Sequence, residues 1–293
     1  MSDFIGLFDK TENIFSQVEN ENSKWLDHKF IATSEKVIKA EFNNNTIFLC
    51  GKVYEADAEN NVAEEILKKY EKNGISSFKS IHGEFTFIIS SGKETIIYRD
   101  RHGAGPQVYY NKKAYSAFLK NFLQLKNFTP EPDTEALFTF LSIGYVPSPM
   151  SSLKGVKKLP AGYVLINQDN KQNTENIYSW KDYNEACSNP ITISEEEATA
   201  HYEELHKKAI KRRVDSKKSV GLLLSGGYDS GGNIAGLREV YSGDAYSYSI
   251  GFKDNPWTEL PLAKLLSEKF GTQHFEYEID GTEIKELPEI VEY

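Results

Sequence analysis

"GLLLSGGYDSGGNIAG", Gly221–Gly236, runs from an apolar stretch through a serine, two glycines, an aspartate, a second serine and two more glycines. A strand is handing over to a helix here. Glycines in such a turn permit positive φ and keep side chains away from whatever approaches the backbone. The helix N-terminus offers unpaired N–H groups and the positive end of a dipole, which together favour an anion. Ser225 and Ser230 add hydroxyl donors suited to phosphate oxygens. Asp229 would repel a bare phosphate, so its natural role beside one is to hold Mg²⁺. No Gly-Lys-Ser/Thr follows, so the loop is not a Walker A sequence. The plain alternative is a glycine-rich turn with Asp229 as helix N-cap.

The segments around this turn alternate. Ser194 and Glu197 form a capping box for a helix over 195–213, with Ala198, Tyr202, Leu205 and Ala209 as its apolar stripe. "SVGLLL" reads as a buried strand, "NIAGLREVY" as a helix and "AYSYSI" as a strand. "ELPLAKLLSEKF" follows as a helix and "HFEYEI" as a strand, with Phe275, Tyr277 and Ile279 alternating. Strand and helix in alternation predict an α/β unit with a parallel sheet and right-handed crossovers. Ligands of such sheets bind beyond the carboxyl ends of the strands, where Ser225–Ser230 falls.

The earlier chain has another rhythm. Short β-type runs ("FIGLF", "TIFLC", "FTFIIS", "TIIYRD", "AYSAFL") are separated by Gly, Asn and Ser. One helix, "NVAEEILKKYEK", carries Val62, Ile66, Leu67 and Tyr70 on one side. This predicts an α+β unit on antiparallel sheet. "LSIGYVPSPMSSLKGVKKLPAG" reads as a connecting region with a hairpin around Leu159–Ile166, and "NQDNKQNTEN" and "NEACSNP" as polar loops. The expected division is residues 1–190 and 191–293.

Composition narrows the classes. Of the 293 residues, 39% are hydrophobic and 26% charged, as in a soluble globular protein. A net charge of −9 argues against a nucleic-acid partner, and no apolar run reaches the ~20 residues of a membrane helix. The N-terminus lacks a signal-peptide pattern. Cys50 and Cys187, the two cysteines, fit a reducing cytoplasmic compartment. The histidines have no metal spacing: His201 and His206, five apart on a helix, point to different faces.

"LLLSGGYDS" resembles the PP-loop (SGGxDS) of the N-type ATP pyrophosphatases. The wider resemblance is to asparagine synthetase and its relatives, including β-lactam synthetases and lasso-peptide cyclases. It rests on four stretches in order. "GEFTFIIS…YRDRHGAGPQVYY" is similar to the family's "GDFAF…RDRFGxKPLYY". "GYVPSP…LKGVKKLPAGYVL" is similar to its linker, "AIKRRVDSKKSVGLLLSGGYDS" to its helix and PP-loop strand, and "YSYSIGF…FGTQHFEYEI" to "SFSIGF…LGTxHHE". The resemblance implies an N-terminal glutaminase-type (Ntn) αββα sandwich followed by an α/β parallel-sheet PP-loop domain. It implies ATP and Mg²⁺, adenylation of a substrate carboxylate with release of pyrophosphate, and attack by an amine to form an amide. Carried across, Ser225, Gly226, Gly227, Asp229 and Ser230 hold pyrophosphate and Mg²⁺. Leu223, Leu224 and Ile250 line the adenine pocket with Gly251 beside it, although all three side chains also suit plain strand core.

Four features depart from the family pattern. A working glutaminase begins with Cys after Met removal, whereas position 2 is Ser2, a poor nucleophile without a thiolate. The family's "NGEIYN" appears as "CGKVYE", with Cys50 for Asn and Lys52 for Glu. Cys50 reads as a core residue. The helix after the PP-loop begins "DSGG", which costs roughly 1 kcal/mol per glycine relative to alanine. The sequence ends at "LPEIVEY", before the "GxGxDE" loop expected to complete the Mg²⁺ site. The expectation is therefore an amide-forming ligase without its own glutaminase, completed by a second polypeptide or a C-terminal half. A non-catalytic nucleotide-binding subunit and a glutamine-dependent asparagine synthetase acting through Ser2 remain as alternatives.

Overall fold

The computed structural model describes residues 4–8, 24–27, 30–32, 37–54, 59–92, 94–178, 180–214 and 219–292. The chain divides into two compact units, Met1–Pro190 and Ile191–Tyr293.

The first unit contains two six-stranded sheets. Its strands are β1 (Phe4–Leu7), β2 (Lys24–Asp27), β3 (Phe30–Ala32), β4 (Val37–Phe42), β5 (Asn45–Val53), β6 (Gly83–Ser90) and β7 (Glu94–Arg99). They continue with β8 (Tyr109–Tyr110), β9 (Ala114–Ser116), β10 (Lys157–Lys158), β11 (Tyr163–Gln168) and β12 (Lys171–Asn176). The helices are α1 (Glu59–Asn73), α2 (Thr134–Ile143) and α3 (Trp180–Ser188), with 3-10 turns at Gly74–Ser80 and Leu119–Gln124. One sheet runs β12-β11-β7-β6-β5-β4 and the other β10-β8-β9-β1-β3-β2, every pairing antiparallel.

Period-two alternation builds the layers. Phe48, Cys50, Ile88, Ile97 and Leu165 of the first sheet pack with Phe4, Tyr110, Tyr115 and Ala117 of the second unit-one sheet's side. Their chain neighbours Ile47, Leu49, Phe87, Ile89, Ile96, Tyr98 and Val164 face the other way, onto Val62, Ala63, Ile66 and Leu67 of α1. Outside the second sheet, Ile5 and Leu7 pack on Phe122 of the second 3-10 turn and on Leu125. Helix, sheet, sheet and helical turn give the α+β sandwich. Asp100, buried after β7, ties down "RHGAG": its carboxylate accepts N–H groups from His102 (3.0 Å), Ala104 (3.2 Å) and Gly105 (2.7 Å).

Several local expectations change. The hairpin is β11–β12, not a turn around Leu159–Ile166, and "NQDNKQNTEN" supplies its turn and second strand. Asp169 and Asn170 both take positive φ (50° and 61°), the turn geometry that matches strand twist. "NEACS" belongs to α3. "AYSAFL" is a strand only to Ser116 and then enters the 3-10 turn. The connecting region is preceded by α2, whose first turn is capped by Asp133 accepting from the Ala136 amide at 3.0 Å. Gly144 closes that helix at φ 81°.

The second unit comprises α4 (Glu195–Arg213), β13 (Val220–Leu223), α5 (Tyr228–Val240), β14 (Ala245–Phe252), α6 (Leu260–Phe270), β15 (Gln273–Ile279), a 3-10 turn (Thr282–Glu286) and α7 (Leu287–Glu292). The sheet is parallel, in the order β13-β14-β15. The capping box of α4 is complete: Ser194 Oγ accepts from the Glu197 amide (3.2 Å) and Glu197 Oε2 from the Ser194 amide (3.0 Å). The expected stripe of α4 is not its packing face, since Tyr202 and Leu205 are exposed. His206 and Ile210 approach α5 instead, at Gly236, where a Cβ would lie 2.7 Å from Ile210 Cδ1.

β13 is not a buried strand. Leu222 and Leu224 pack with Ile234, Ala263 and Leu266 of the helices, but Leu223 on the opposite face is 79% exposed. The same face carries Tyr248, Ile250, Phe252, Phe275 and Tyr277, all exposed. β13 ends the sheet on one side, and among the described residues nothing covers the face of Leu223 and Ile250.

Candidate functional site

The site is built where β13 meets α5. The turn is locked by two serines. The Ser225 amide donates to Ser230 Oγ (3.2 Å), the two hydroxyls lie 2.9 Å apart, and the Gly227 amide donates to Ser225 Oγ (3.3 Å). Ser230 Oγ also lies 2.9 Å from the Ser225 carbonyl. The PP-loop therefore stands as a closed turn at the mouth of a helix.

The glycines act differently from the expectation. Neither Gly226 nor Gly227 takes positive φ. Gly226 is required by close approach: a Cβ there would lie 2.9 Å from Leu262 Cβ on α6. Gly227 is the helix N-cap, at φ −79° and ψ 165°, with only Ser225 Oγ at 3.4 Å from an added Cβ. Asp229 is thus not the N-cap but lies inside the first turn of α5. Its carboxylate is exposed and makes no hydrogen bond or ion pair among the described residues. Gly231 and Gly232 would meet nothing closer than Leu266 Cδ1 at 3.5 Å, so packing does not demand them.

A pocket of about 290 Å³ opens at the carboxyl ends of β13 and β14. It brings together Leu223, Leu224, Ile250, Ser225 and Ser230, five of the residues singled out in the sequence. Leu224 is also core, 3% exposed, so for this residue the plain reading holds as well. Gly251 stays outside the lining, buried where a Cβ would lie 2.6 Å from Leu260 Cδ1. Gly226, Gly227 and Asp229 stand beside the pocket, not in its wall. The sequence reading missed Tyr248, Ser249, Glu259, Leu260 and Ala263, which complete it. Asp244 and Asp254 are not in its lining; the acid that faces it is Glu259, at the start of α6. No helix position in the sequence distinguishes Glu259 from an ordinary surface acid, and only the fold of α6 against Gly226 and Gly251 places it there.

In the first unit, Ser2 lies outside the described residues. Cys50 is fully buried between the two sheets among Phe4, Phe48 and Ile88. Burial pushes its thiol far above the ordinary range, so it carries no thiolate near neutral pH. Gly51, at φ 104°, crosses β6 so closely that a Cβ would lie 2.1 Å from the Glu84 carbonyl. The Tyr54 hydroxyl donates to the Glu84 carboxylate at the same end of the sheet.

The chain thus combines an antiparallel two-sheet sandwich with a unit on a parallel sheet whose glycine–serine turn sits at a helix N-terminus. Residues 51–179 match the glutamine amidotransferase domain, and residues 201–293 match asparagine synthase. A relative from Methanocaldococcus jannaschii, assigned by name to the glutamine-hydrolysing asparagine synthetases, is 32% identical over 76% of this chain and 44% of its own length. Asparagine synthetase [glutamine-hydrolyzing] 1 of Bacillus subtilis is 26% identical over 82% of this chain and 38% of its own. The chain carries, in this order, regions matching the glutamine amidotransferase domain and asparagine synthase, and it is similar to asparagine synthetases. It spans less than half the length of these curated relatives.

Proposed function

We propose that the chain, together with further polypeptide, forms an ATP-dependent ligase that joins a carboxylate to an amine. The observation that carries this reading is the loop of Ser225–Ser230. A closed turn at a helix N-terminus, two hydroxyls and an unengaged carboxylate are grouped beside an apolar pocket of nucleotide-base character. The substrate carboxylate attacks the α-phosphate of ATP, pyrophosphate leaves, and the amine then displaces AMP from the acyl group. The amides at the start of α5 and the serine hydroxyls stabilise charge on the departing pyrophosphate. Leu223 and Ile250, flanking the pocket, bind the base.

Mg²⁺ fits the residues present in part. The free carboxylate of Asp229 suits a cation that takes one or two carboxylates and fills its shell with phosphate oxygens and water. When bound, Mg²⁺ supplies charge neutralisation at the phosphates. Among the described residues no group of three or more His, Cys, Asp or Glu side chains stands ready to hold a metal. The rest of the shell is assigned to phosphate, water and the polypeptide that follows.

That further polypeptide, a continuation of the chain or a second subunit, is proposed to cover the face of Leu223, Ile250 and Phe252 and to extend the sheet beside β13. Exposed apolar sheet faces of this kind are covered in native proteins. We further propose that glutamine is not the amine source of this chain. The family's Asn position is Cys50, sealed in the core with its thiol protonated. The amine then comes from ammonia, a partner or the substrate itself. No helix among the described residues is long and apolar enough to cross a membrane, and a cytoplasmic setting is proposed from the cysteine usage.

Calorimetry of Mg·ATP binding tests the reading. Asp229→Ala in the intact protein is expected to weaken Mg·ATP at least tenfold, whereas ATP in EDTA, which the Asp229 carboxylate repels, is bound at least as tightly by the variant as by wild type. Equal Mg·ATP affinity in the two would remove Asp229 from the site.

A further inference from the structure

We infer that Glu259 binds the ribose of the nucleotide through its 2′,3′-diol. This deepens the proposed reading of the pocket as a nucleotide site and rests on it. Glu259 immediately precedes α6 and lines the pocket as the one charged side chain in a wall of Leu223, Leu224, Ile250, Leu260 and hydroxyl-bearing residues. Its carboxylate makes no hydrogen bond or ion pair among the described residues.

Position selects the ribose. The residues after Glu259 brace both ends of the pocket. Leu260 packs on Gly251 of β14, at the base-binding end, and Leu262 on Gly226 of the loop, at the phosphate end. The start of α6 therefore runs from one end to the other: Glu259, between Thr258 and Leu260 that both lie against Gly251, opens it and shares the pocket wall with Ser225 and Ser230, and in a nucleotide the sugar is what joins base to phosphate. Chemistry selects it too. An ionised carboxylate only accepts hydrogen bonds and offers two oxygens side by side. A vicinal diol presents two donors at matching separation. Of the wall's other hydroxyls, Ser249 donates to the Leu224 carbonyl and Ser225 and Ser230 lie at the phosphate end; Tyr248 has its hydroxyl unengaged among the described residues, but a single phenol oxygen does not offer the paired acceptors that a carboxylate does. A carboxylate beside triphosphate is otherwise repulsive, so its presence calls for a donor on the ligand.

The sign of the effect separates the possibilities. An uninvolved Glu259 repels ATP, and Glu259→Leu then binds ATP more tightly. A diol-binding Glu259 makes Glu259→Leu about tenfold weaker for ATP, the cost of losing hydrogen bonds to a charged acceptor. The experiment is calorimetry on the intact protein with ATP and with 2′,3′-dideoxy-ATP, for wild type, Glu259→Leu and Glu259→Gln. Wild type is expected to prefer ATP about tenfold, Glu259→Leu to bind the two nucleotides alike, and Glu259→Gln, which keeps one acceptor oxygen, to fall between. Equal weakening of ATP and dideoxy-ATP in Glu259→Leu overturns the ribose assignment. Weakening that disappears in EDTA overturns it too, in favour of a cation ligand. Failure of wild type to bind either nucleotide overturns the nucleotide reading itself.

Discussion

Gly226→Ala and Gly227→Ala stand one position apart in the same turn, and the structure separates their consequences. At Gly226 an added Cβ lies 2.9 Å from Leu262 Cβ and 3.1 Å from both Leu262 Cγ and Cδ2. The nearest atom is fixed to the backbone of α6 and cannot swing aside as a side-chain tip would. The turn or the helix must move, and overpacking of this kind costs about 1–3 kcal/mol. At Gly227 the nearest atom is 3.4 Å away, and φ −79° with ψ 165° is ordinary for alanine. There the entropy gain of about 0.4–1 kcal/mol opposes the loss of a better N-cap residue, leaving a net change near zero.

Urea unfolding reads both, as a midpoint shift at constant slope. Leu262→Ala removes two of the three overlapping atoms and frees α6 to yield. The double variant Gly226→Ala/Leu262→Ala is therefore expected to show about 1 kcal/mol of favourable coupling relative to the two single changes. Movement of the turn also disturbs the Ser225–Ser230 bonding, so Gly226→Ala should weaken Mg·ATP while Gly227→Ala does not. Equal destabilisation by the two glycine changes, or additive behaviour of the double variant, would refute the close-approach argument.

Iodoacetamide at pH 8 is expected to modify Cys187, which is exposed, at least a hundredfold faster than buried Cys50 in the folded protein; two adducts at comparable rates would contradict the burial. Incubation with glutamine is expected to release no glutamate above the background of a Ser2→Ala control. Glutamate release that vanishes in Ser2→Ala would restore Ser2 as a nucleophile.

The PP-loop was legible because its chemistry is local: serines, glycines and an aspartate at fixed spacing after an apolar run need no tertiary knowledge. The α4 capping box was legible for the same reason. What escaped depends on which face of an element meets another. The stripe of α4 was read from apolar periodicity, yet the contact with α5 uses His206 and Ile210, because Gly236 opens a hollow opposite them. α2 was missed although Asp133 and Gly144 bracket it, since its apolar run reads equally as a strand or connector. The role of the loop glycines was misjudged in the same way: positive φ is a property of one residue, whereas the approach of Leu262 comes from 36 positions later in the chain. Glu259 belongs to this second kind of information. So does the exposed face of β13 and β14, which in sequence is indistinguishable from buried strand.

That face yields a measurable consequence. Phe252 is 60% exposed at the carboxyl end of β14 and does not line the pocket, so it reports on covering without disturbing nucleotide. Full burial of a Phe side chain contributes about 1.5–3 kcal/mol, and three-fifths of that, roughly 1–2 kcal/mol, is still to be gained at Phe252. Phe252→Thr keeps a residue of good strand propensity on the sheet. In the 293-residue chain the change should shift the unfolding midpoint by less than about 0.5 kcal/mol, as expected for a substitution on an uncovered surface. With the polypeptide that completes the synthetase unit in place, the same change should cost roughly 1–2 kcal/mol. An apolar dye should bind the shorter form more strongly, because the open face also includes Tyr248, Ile250, Phe275 and Tyr277. If Phe252→Thr has the same small effect in both forms, the face is solvent-exposed in the working protein, and the covering polypeptide must dock elsewhere.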